Sequence, residues 1–164
     1  MDGQLRNMTS IYLRKGNQFL LLYRMGSRVV GNSYTGTAGG HFEKEELNDA
    51  KACMLRELLE ETGLTEQDVE SVALRYITLR LKNGEVRQNY YFFANLAEHV
   101  NEKVLFSNEG ELQWFSPEEM ESLTMPHSAK FVVMHYLKTG QYTSSLYGGI
   151  AEEDKLAFIE LKEF

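Results

Sequence analysis

Gly39-Gly40-His41-Phe42-Glu43-Lys44-Glu45-Glu46, continued through Arg56-Glu57-Leu58-Leu59-Glu60-Glu61-Thr62-Gly63-Leu64, is the stretch on which the fold turns. Its second half places carboxylates at i, i+3 and i+4 of an expected helix, so Glu57, Glu60 and Glu61 fall within an arc of about 100°. Like charges at this spacing cost a helix about 0.2–0.5 kcal/mol per pair. The C-terminal end of the macrodipole, where they sit, also disfavours anions. Folding alone does not select such an arrangement. A bound divalent cation does, because Mg²⁺ and Mn²⁺ take oxygen ligands and offset the repulsion. Upstream, Gly39 and Gly40 carry no Cβ, so a backbone carbonyl or amide there can approach an ion or a phosphate closely. Close backbone, clustered carboxylates and the nearby Arg56 suit a metal–phosphate substrate.

The spacing resembles the Nudix box: a glycine, five residues, a glutamate, seven residues, then Arg-Glu-apolar-x-Glu-Glu-x-Gly-apolar. Gly40 to Glu46 matches the first interval, and Arg56, Glu57, Leu58, Glu60, Glu61, Gly63 and Leu64 match every fixed position of the second half. An acidic exposed helix after a tight turn would show such residues by chance, but not at this many fixed positions. The chain departs from the box in one place. Nine residues rather than seven separate Glu46 from Arg56, so Glu45 or Glu43 competes with Glu46 for its place.

The resemblance implies an α/β fold, a mixed β-sheet sandwiched between α-helices, and hydrolysis of the diphosphate linkage in a nucleoside diphosphate derivative. It makes Glu57, Glu60 and Glu61 ligands of Mg²⁺, with Mn²⁺ as a substitute, and the Gly40 carbonyl a further ligand. Arg56 would orient a helix glutamate, and Glu57 or a loop glutamate would act as base. The expected catalytic set is therefore Glu57, Arg56, Glu60 and Glu61; the expected substrate-binding set is Gly39, Gly40, Arg24 and Glu46. Glu109 and Glu111 are candidates for a carboxylate from outside the box, and solvated loop charge is the plain alternative. Arg24 and Arg28 could meet phosphates; Tyr34, Tyr90 and Tyr91 could stack on a base. His41 could face the substrate.

The MutT-like group, which hydrolyses oxidised purine nucleoside triphosphates, is closest in size. In MutT an asparagine before the last helix reads the base; here Met125-Pro126-His127-Ser128-Ala129 has none. Ala38 replaces the usual proline before the glycine pair. Hydrolysis of ADP-ribose, a nucleotide sugar or another nucleotide derivative is the first alternative. A non-catalytic Nudix-fold nucleotide-binding module is the second.

Composition bounds the rest. The chain has 164 residues, 43% hydrophobic and 25% charged, as in an ordinary globular domain. Its length suggests a single Nudix domain over 1–164. No apolar run reaches the length of a membrane span, and Met1–Ser10 does not read as a secretory leader; a cytoplasmic location is the default expectation. Cys53 is the sole cysteine, expected as a small core residue. The formal charge of −7 carries no evident basic patch, which argues against a nucleic-acid partner. A small-molecule nucleotide is the expected partner, no membrane is involved, and homodimerisation, common in the family, is left open.

Local patterning completes the expectation. Residues 6–14 and 18–24 read as a hairpin, 25–36 as a long polar loop and 37–43 as a short strand. A helix should span 48–62, capped by Asn48 or Asp49 and stopped by Gly63. Its apolar Met54, Leu55, Leu58 and Leu59 occupy an arc of about 140°, set apart from the glutamates. Residues 70–82 and 85–98 flank Asn83-Gly84, the strongest short hairpin signal. A strand at 111–115, a capping box at Ser116-Pro117-Glu118-Glu119, a helix from 127 to 138 and a strand at 156–162 follow. Without the box, this order supports only one α/β or α+β domain.

Overall fold

The protein is described from a computed structural model, which covers residues 2–25 and 32–164. Nine strands and three helices are defined among them. The chain runs β1 (Leu5–Lys15), β2 (Gln18–Arg24), β3 (Ser33–Thr35), β4 (Ala38–His41), α1 (Ala50–Thr62), β5 (Val69–Lys82), β6 (Glu85–Leu96), β7 (Glu111–Phe115), α2 (Pro117–Met120), α3 (His127–Lys138), β8 (Leu146–Ala151) and β9 (Leu156–Leu161). Long β1 organises the sheet. Along one edge it runs parallel to β6 through ten paired residues, from Leu5↔Val86 to Arg14↔Asn95. Along the other, its N-terminal half pairs with β4 (Met8↔His41 to Ile11↔Ala38), while its C-terminal end turns into β2 (Leu13↔Leu20). Strand β2 then carries β3 and β7. Beyond β6 come antiparallel β5, then β8 parallel to β5, then β9.

Where β1 leaves β4 for β2, a side chain closes the seam. Thr37 Oγ1 accepts from Leu13 N at 3.0 Å and donates to the Leu20 carbonyl at 2.6 Å, fully buried.

Alternation along β1 splits the core in two. Ile11 and Leu13 join Leu20, Met54, Leu58, Phe92 and Ala94 beneath α1. Tyr12 joins Phe19, Leu21, Tyr76, Tyr91, Phe93, Val132, Val133 and Tyr136 beneath α3. The sheet thus lies between α1 and α3, as the box resemblance implied.

Helix α1 starts where Asp49 accepts from Ala52 N and stops at Gly63 in the left-handed region, φ 75°. Its faces are not divided as the sequence suggested. Leu59 is 51% exposed, because one residue beyond Leu58 rotates it about 100° off the buried stripe. Glu61, seven residues after Met54, falls back into that stripe and is 6% exposed. At that end of the helix the stripe meets a cavity instead of the core.

Three features escaped the sequence pattern. Strand β3 lies inside the expected 25–36 loop, and β8 is disguised by Gly148-Gly149, which contribute nothing to alternation. Strand β5 carries irregularities between Glu70 and Ala73 and between Leu74 and Tyr76, so Arg75 and Tyr76 are both buried. Arg75 donates to the carbonyls of Ser145, Gly140 and Thr143 at 2.7–3.0 Å, pinning the segment between α3 and β8.

Candidate active site

Arg56 is the hub of the acidic cluster. Its guanidinium grips Glu46 with two nitrogens, Nε to Oε1 at 2.6 Å and Nη2 to Oε2 at 3.0 Å. Through Nη1 it also donates to Glu57 Oε1 at 2.9 Å and Glu60 Oε2 at 3.0 Å, and through Nη2 to the His41 carbonyl at 2.9 Å. Hydrogen bonds from Arg56 hold the Glu46 carboxyl down at about 2 despite its burial. The longer spacing in the box is absorbed without displacing Glu46. Lys44–Glu46 form a 3₁₀ turn in which Glu43 N donates to Glu46 Oε2 at 2.9 Å, and α1 begins four residues later. Glu46 is therefore the carboxylate locked on Arg56. Glu45 is exposed, and Glu43 stands 3.9 Å from Arg56 Nε with most of its side chain in solvent.

Glu57 and Glu61, one helical turn apart, face a cavity of about 810 Å³. Glu57 lies flat against Gly40, where any Cβ would overlap its carboxylate; a Cβ on Gly39 would overlap the Thr9 carbonyl. Gly39 is thus required by its approach to backbone, whereas a side chain at position 40 would displace the Glu57 carboxylate. Burial raises the Glu57 carboxyl above its ordinary value, with Arg56 opposing. Glu61 is more perturbed. Burial pushes its carboxyl up to about 7; Arg24 opposes the shift, and Glu57 and Glu109 add to it. Its Oε1 meets Arg24 Nη2 at 3.3 Å and the Gly39 backbone amide also favours its charged form, while its Oε2 is buried with no partner in hydrogen-bonding geometry among the described residues. A buried carboxylate oxygen left unpaired is costly.

A second acidic element approaches from the far side. Asn108 bonds through its backbone N to the Glu61 carbonyl at 3.0 Å and through Nδ2 to the Glu60 carbonyl at 2.8 Å. This fixes the loop before β7 to the end of α1. Glu109 then reaches the cavity, 3.7 Å from Arg24 Nη1.

Residues 4–136 match the model of the NUDIX domain. The chain belongs to the Nudix family. Its fold is shared with solved Nudix structures at low identity. The mutator MutT protein from Bacillus halodurans is 23% identical, with a TM-score of 0.64 over 94% of this chain and 97% of that one. A NUDIX hydrolase from Nitrosomonas europaea is 16% identical, with a TM-score of 0.67 over 92% and 81%. The MutT protein from Methanosarcina mazei Go1 is 18% identical, with a TM-score of 0.65 over 87% and 99%. No curated protein matches the chain by sequence. The β8–β9 hairpin lies beyond the matched residues.

Nudix hydrolases act on small molecules and generally use divalent metal ions. Among the described residues no three acidic, histidine or cysteine side chains are already gathered into a cage for one. The donors nevertheless fit: a Glu61 oxygen, Glu57, the backbone at Gly39–Gly40 and, bound to the same Arg24 as Glu61, Glu109. Mg²⁺ keeps several waters and is commonly held by one or two carboxylates plus substrate phosphates, so no dedicated cage is needed.

The other residues singled out in the sequence divide as follows. Arg24 lines this Nudix cavity, bound to Glu61 and Glu109. Glu60 is 56% exposed at the rim and Glu46 sits behind Arg56; neither lines the cavity. His41 and Tyr91 do line it. Tyr34 bonds Gln113 Oε1 at 3.1 Å, Tyr90 packs on Phe42, and Trp114 packs beneath α1. Glu111 is exposed and outside the cavity, and Arg28 lies outside the described residues. Cys53 is fully buried, with its thiol pushed up to about 11 chiefly by that burial. Residues 126–129, at the start of α3, form part of the wall. Sequence reading missed Arg6, Arg80, Lys82 and Arg87, which also line the cavity. Strand register carries that signal: Arg80 and Arg87 are placed symmetrically about Asn83-Gly84.

No helix among the described residues is long and apolar enough to cross a membrane.

Proposed function

We propose that this Nudix hydrolase cleaves the diphosphate linkage of a nucleoside di- or triphosphate derivative with Mg²⁺, for which Mn²⁺ substitutes. The observation that carries the reading is the buried Glu61 oxygen, unpaired among the described residues, on a side chain that lines the same cavity as Glu57 and the glycine pair. An oxygen held there without a partner is accounted for by a cation arriving with the substrate.

Glu57, Glu61 and the Gly40 carbonyl would hold the ion, with Glu60 turning in from the rim. When bound, it would neutralise phosphate charge and lower the pKa of an attacking water. Glu57 and Glu109 both line the cavity, and either can take that water's proton. Burial raises the Glu57 carboxyl in the metal-free protein, the direction that suits a base. Arg56 is a positioning residue: it fixes Glu57 from behind, together with the His41 carbonyl that follows Gly40. Arg24 keeps Glu61 and Glu109 from repelling one another. Gly39 and Gly40 leave room for a phosphate beside the carboxylates.

Fold and size leave a MutT-like substrate, an oxidised purine nucleoside triphosphate, among the candidates, although Met125–Ala129 carries no asparagine to read its base. The base would meet His127 and Ser128, at the start of α3, where MutT carries its asparagine.

Turnover in millimolar Mg²⁺ should vanish on chelation and return with Mg²⁺ or Mn²⁺. Glu57→Gln should lower kcat at least about a hundredfold, as loss of a general base does, while leaving the circular dichroism spectrum unchanged. Unaltered turnover in Glu57→Gln would overturn the role assigned to it.

A further inference from the structure

Three arginines stand side by side on the cavity floor. Register places Arg6 of β1 beside Arg87 of β6, and Arg87 beside Arg80 of β5. Paired residues point to the same face of a sheet, so the row spans about 10 Å at ordinary strand spacing. Lys82, two residues on from Arg80, extends it. All four line the cavity that holds Glu57 and Glu61. Like charges directly opposite one another destabilise a sheet. Little offsets this row. Glu85 bonds Arg87 at 3.1 Å and stands opposite Lys82 in the β5–β6 register, and no carboxylate among the described residues comes within ion-pair distance of Arg6 or Arg80. Arg6 instead donates to His41 Nε2 at 2.9 Å, and its buried Nε has no partner among the described residues. In a chain of net charge −7, four cations gathered on one wall of the substrate cavity are not accounted for by folding.

The position of the row indicates what it meets. Gly40 pairs with Thr9, three residues along β1 from Arg6. At about 3.3 Å per residue along β1, Arg6 therefore lies about 10 Å from the glycine pair, and Arg87 and Arg80 lie farther by about 4.8 Å of strand spacing each. That is one nucleoside or sugar unit away. We infer that Arg6, Arg80 and Arg87 form a second anion subsite, and that the substrate is a small molecule whose diphosphate-linked moiety carries a further phosphate. This rests on the hydrolase reading for the diphosphate end; the subsite itself does not.

The test separates the two. Calorimetry compares AMP with adenosine 3′,5′-bisphosphate, neither of which contains a diphosphate to cleave. The wild type should bind the bisphosphate at least about tenfold more tightly, the size of a charge-assisted bond in a partly exposed site. Arg80→Gln and Arg87→Gln should each bring the ratio towards one, and Arg80→Lys should retain most of it. A parallel assay compares kcat/KM for ADP-ribose and ADP-ribose 2′-phosphate, placing the phosphate at a different position on the nucleoside. A binding preference without turnover of any diphosphate would uphold the subsite and sink the hydrolase reading. Turnover with no preference in either pair would do the reverse. A preference shown only by a 5′-triphosphorylated oligonucleotide would overturn the small-molecule assignment. Thermal melting of unliganded Arg80→Gln guards against a structural role. Its Tm should match or exceed the wild type, since a like-charge neighbour is removed, whereas a fall of several degrees would mean that the row serves the fold.

Discussion

Glu61 concentrates the physics of the site in one side chain. It is legible in the sequence as a box glutamate, but its burial is not. That depends on the cavity reaching the last turn of α1, and on Arg24 and Glu109 arriving from distant segments. Its raised pKa has a definite sign. A carboxyl lifted from its ordinary value to about 7 leaves the metal-free fold most stable where the group is protonated, and stability is lost as pH rises through 7. We therefore expect Glu61→Gln to stabilise the metal-free protein by about 1–3 kcal/mol at pH 8, with little effect at pH 4. Urea melts at the two pH values in a chelating buffer check this; equal effects at both would contradict the burial argument. Glu46 has the opposite sign. Its carboxyl is held at about 2, so its contribution is fully present above the ordinary carboxylate range and is lost as pH falls towards 2. Arg56→Ala leaves buried Glu46 unpaired and should cost about 3–5 kcal/mol at pH 7. Denaturant melts should show that penalty shrinking below pH 4.

At the scale of elements, regular patterns with strong punctuation were legible and interrupted ones were not. The hairpin at Asn83-Gly84 could be read because both turn residues adopt positive φ, 55° and 76°. The bounds of α1 could be read because Asp49 and Gly63 cap it. Strand β8 could not, because its glycines hide the alternation and its pairing with β5 joins segments about seventy residues apart. The irregularities in β5 had no signature either, yet they turn Arg75 inward. Three carbonyls satisfy that buried cation, and Arg75→Ala should destabilise by about 2–4 kcal/mol through their loss. Thr37→Val should cost about 1–3 kcal/mol by opening the seam between β1 and β2. Hydrogen exchange would localise each change, to the α3–β8 segment in the first case and to the β1–β2 hairpin in the second. Global exchange with neither region singled out would argue against these roles.

For the molecule as a whole, overall charge is a poor guide to local field. A net charge of −7 and the absence of a basic run in the sequence argue against a basic patch. The fold assembles one from β1, β5 and β6 by register alone. The sandwich of two helices about a mixed sheet was recoverable only because the box supplied the family; alternation and caps by themselves left the choice between α/β and α+β open. Substrate identity depends on cavity walls drawn from β1, β2, β4, α1, β5, β6, the loop before β7 and the start of α3, which no local motif encodes. The measurement that bears most directly on function is turnover of a panel of 8-oxo-dGTP, ordinary nucleoside triphosphates, ADP-ribose, nucleotide sugars and dinucleoside polyphosphates by wild type and Glu61→Gln. Mg²⁺ and Mn²⁺ would be supplied separately and the products resolved by chromatography. We expect one class to stand out with kcat/KM of about 10⁴–10⁸ M⁻¹s⁻¹, and Glu61→Gln to abolish its hydrolysis. No turnover with either metal, or turnover that survives Glu61→Gln, would contradict the catalytic reading of α1.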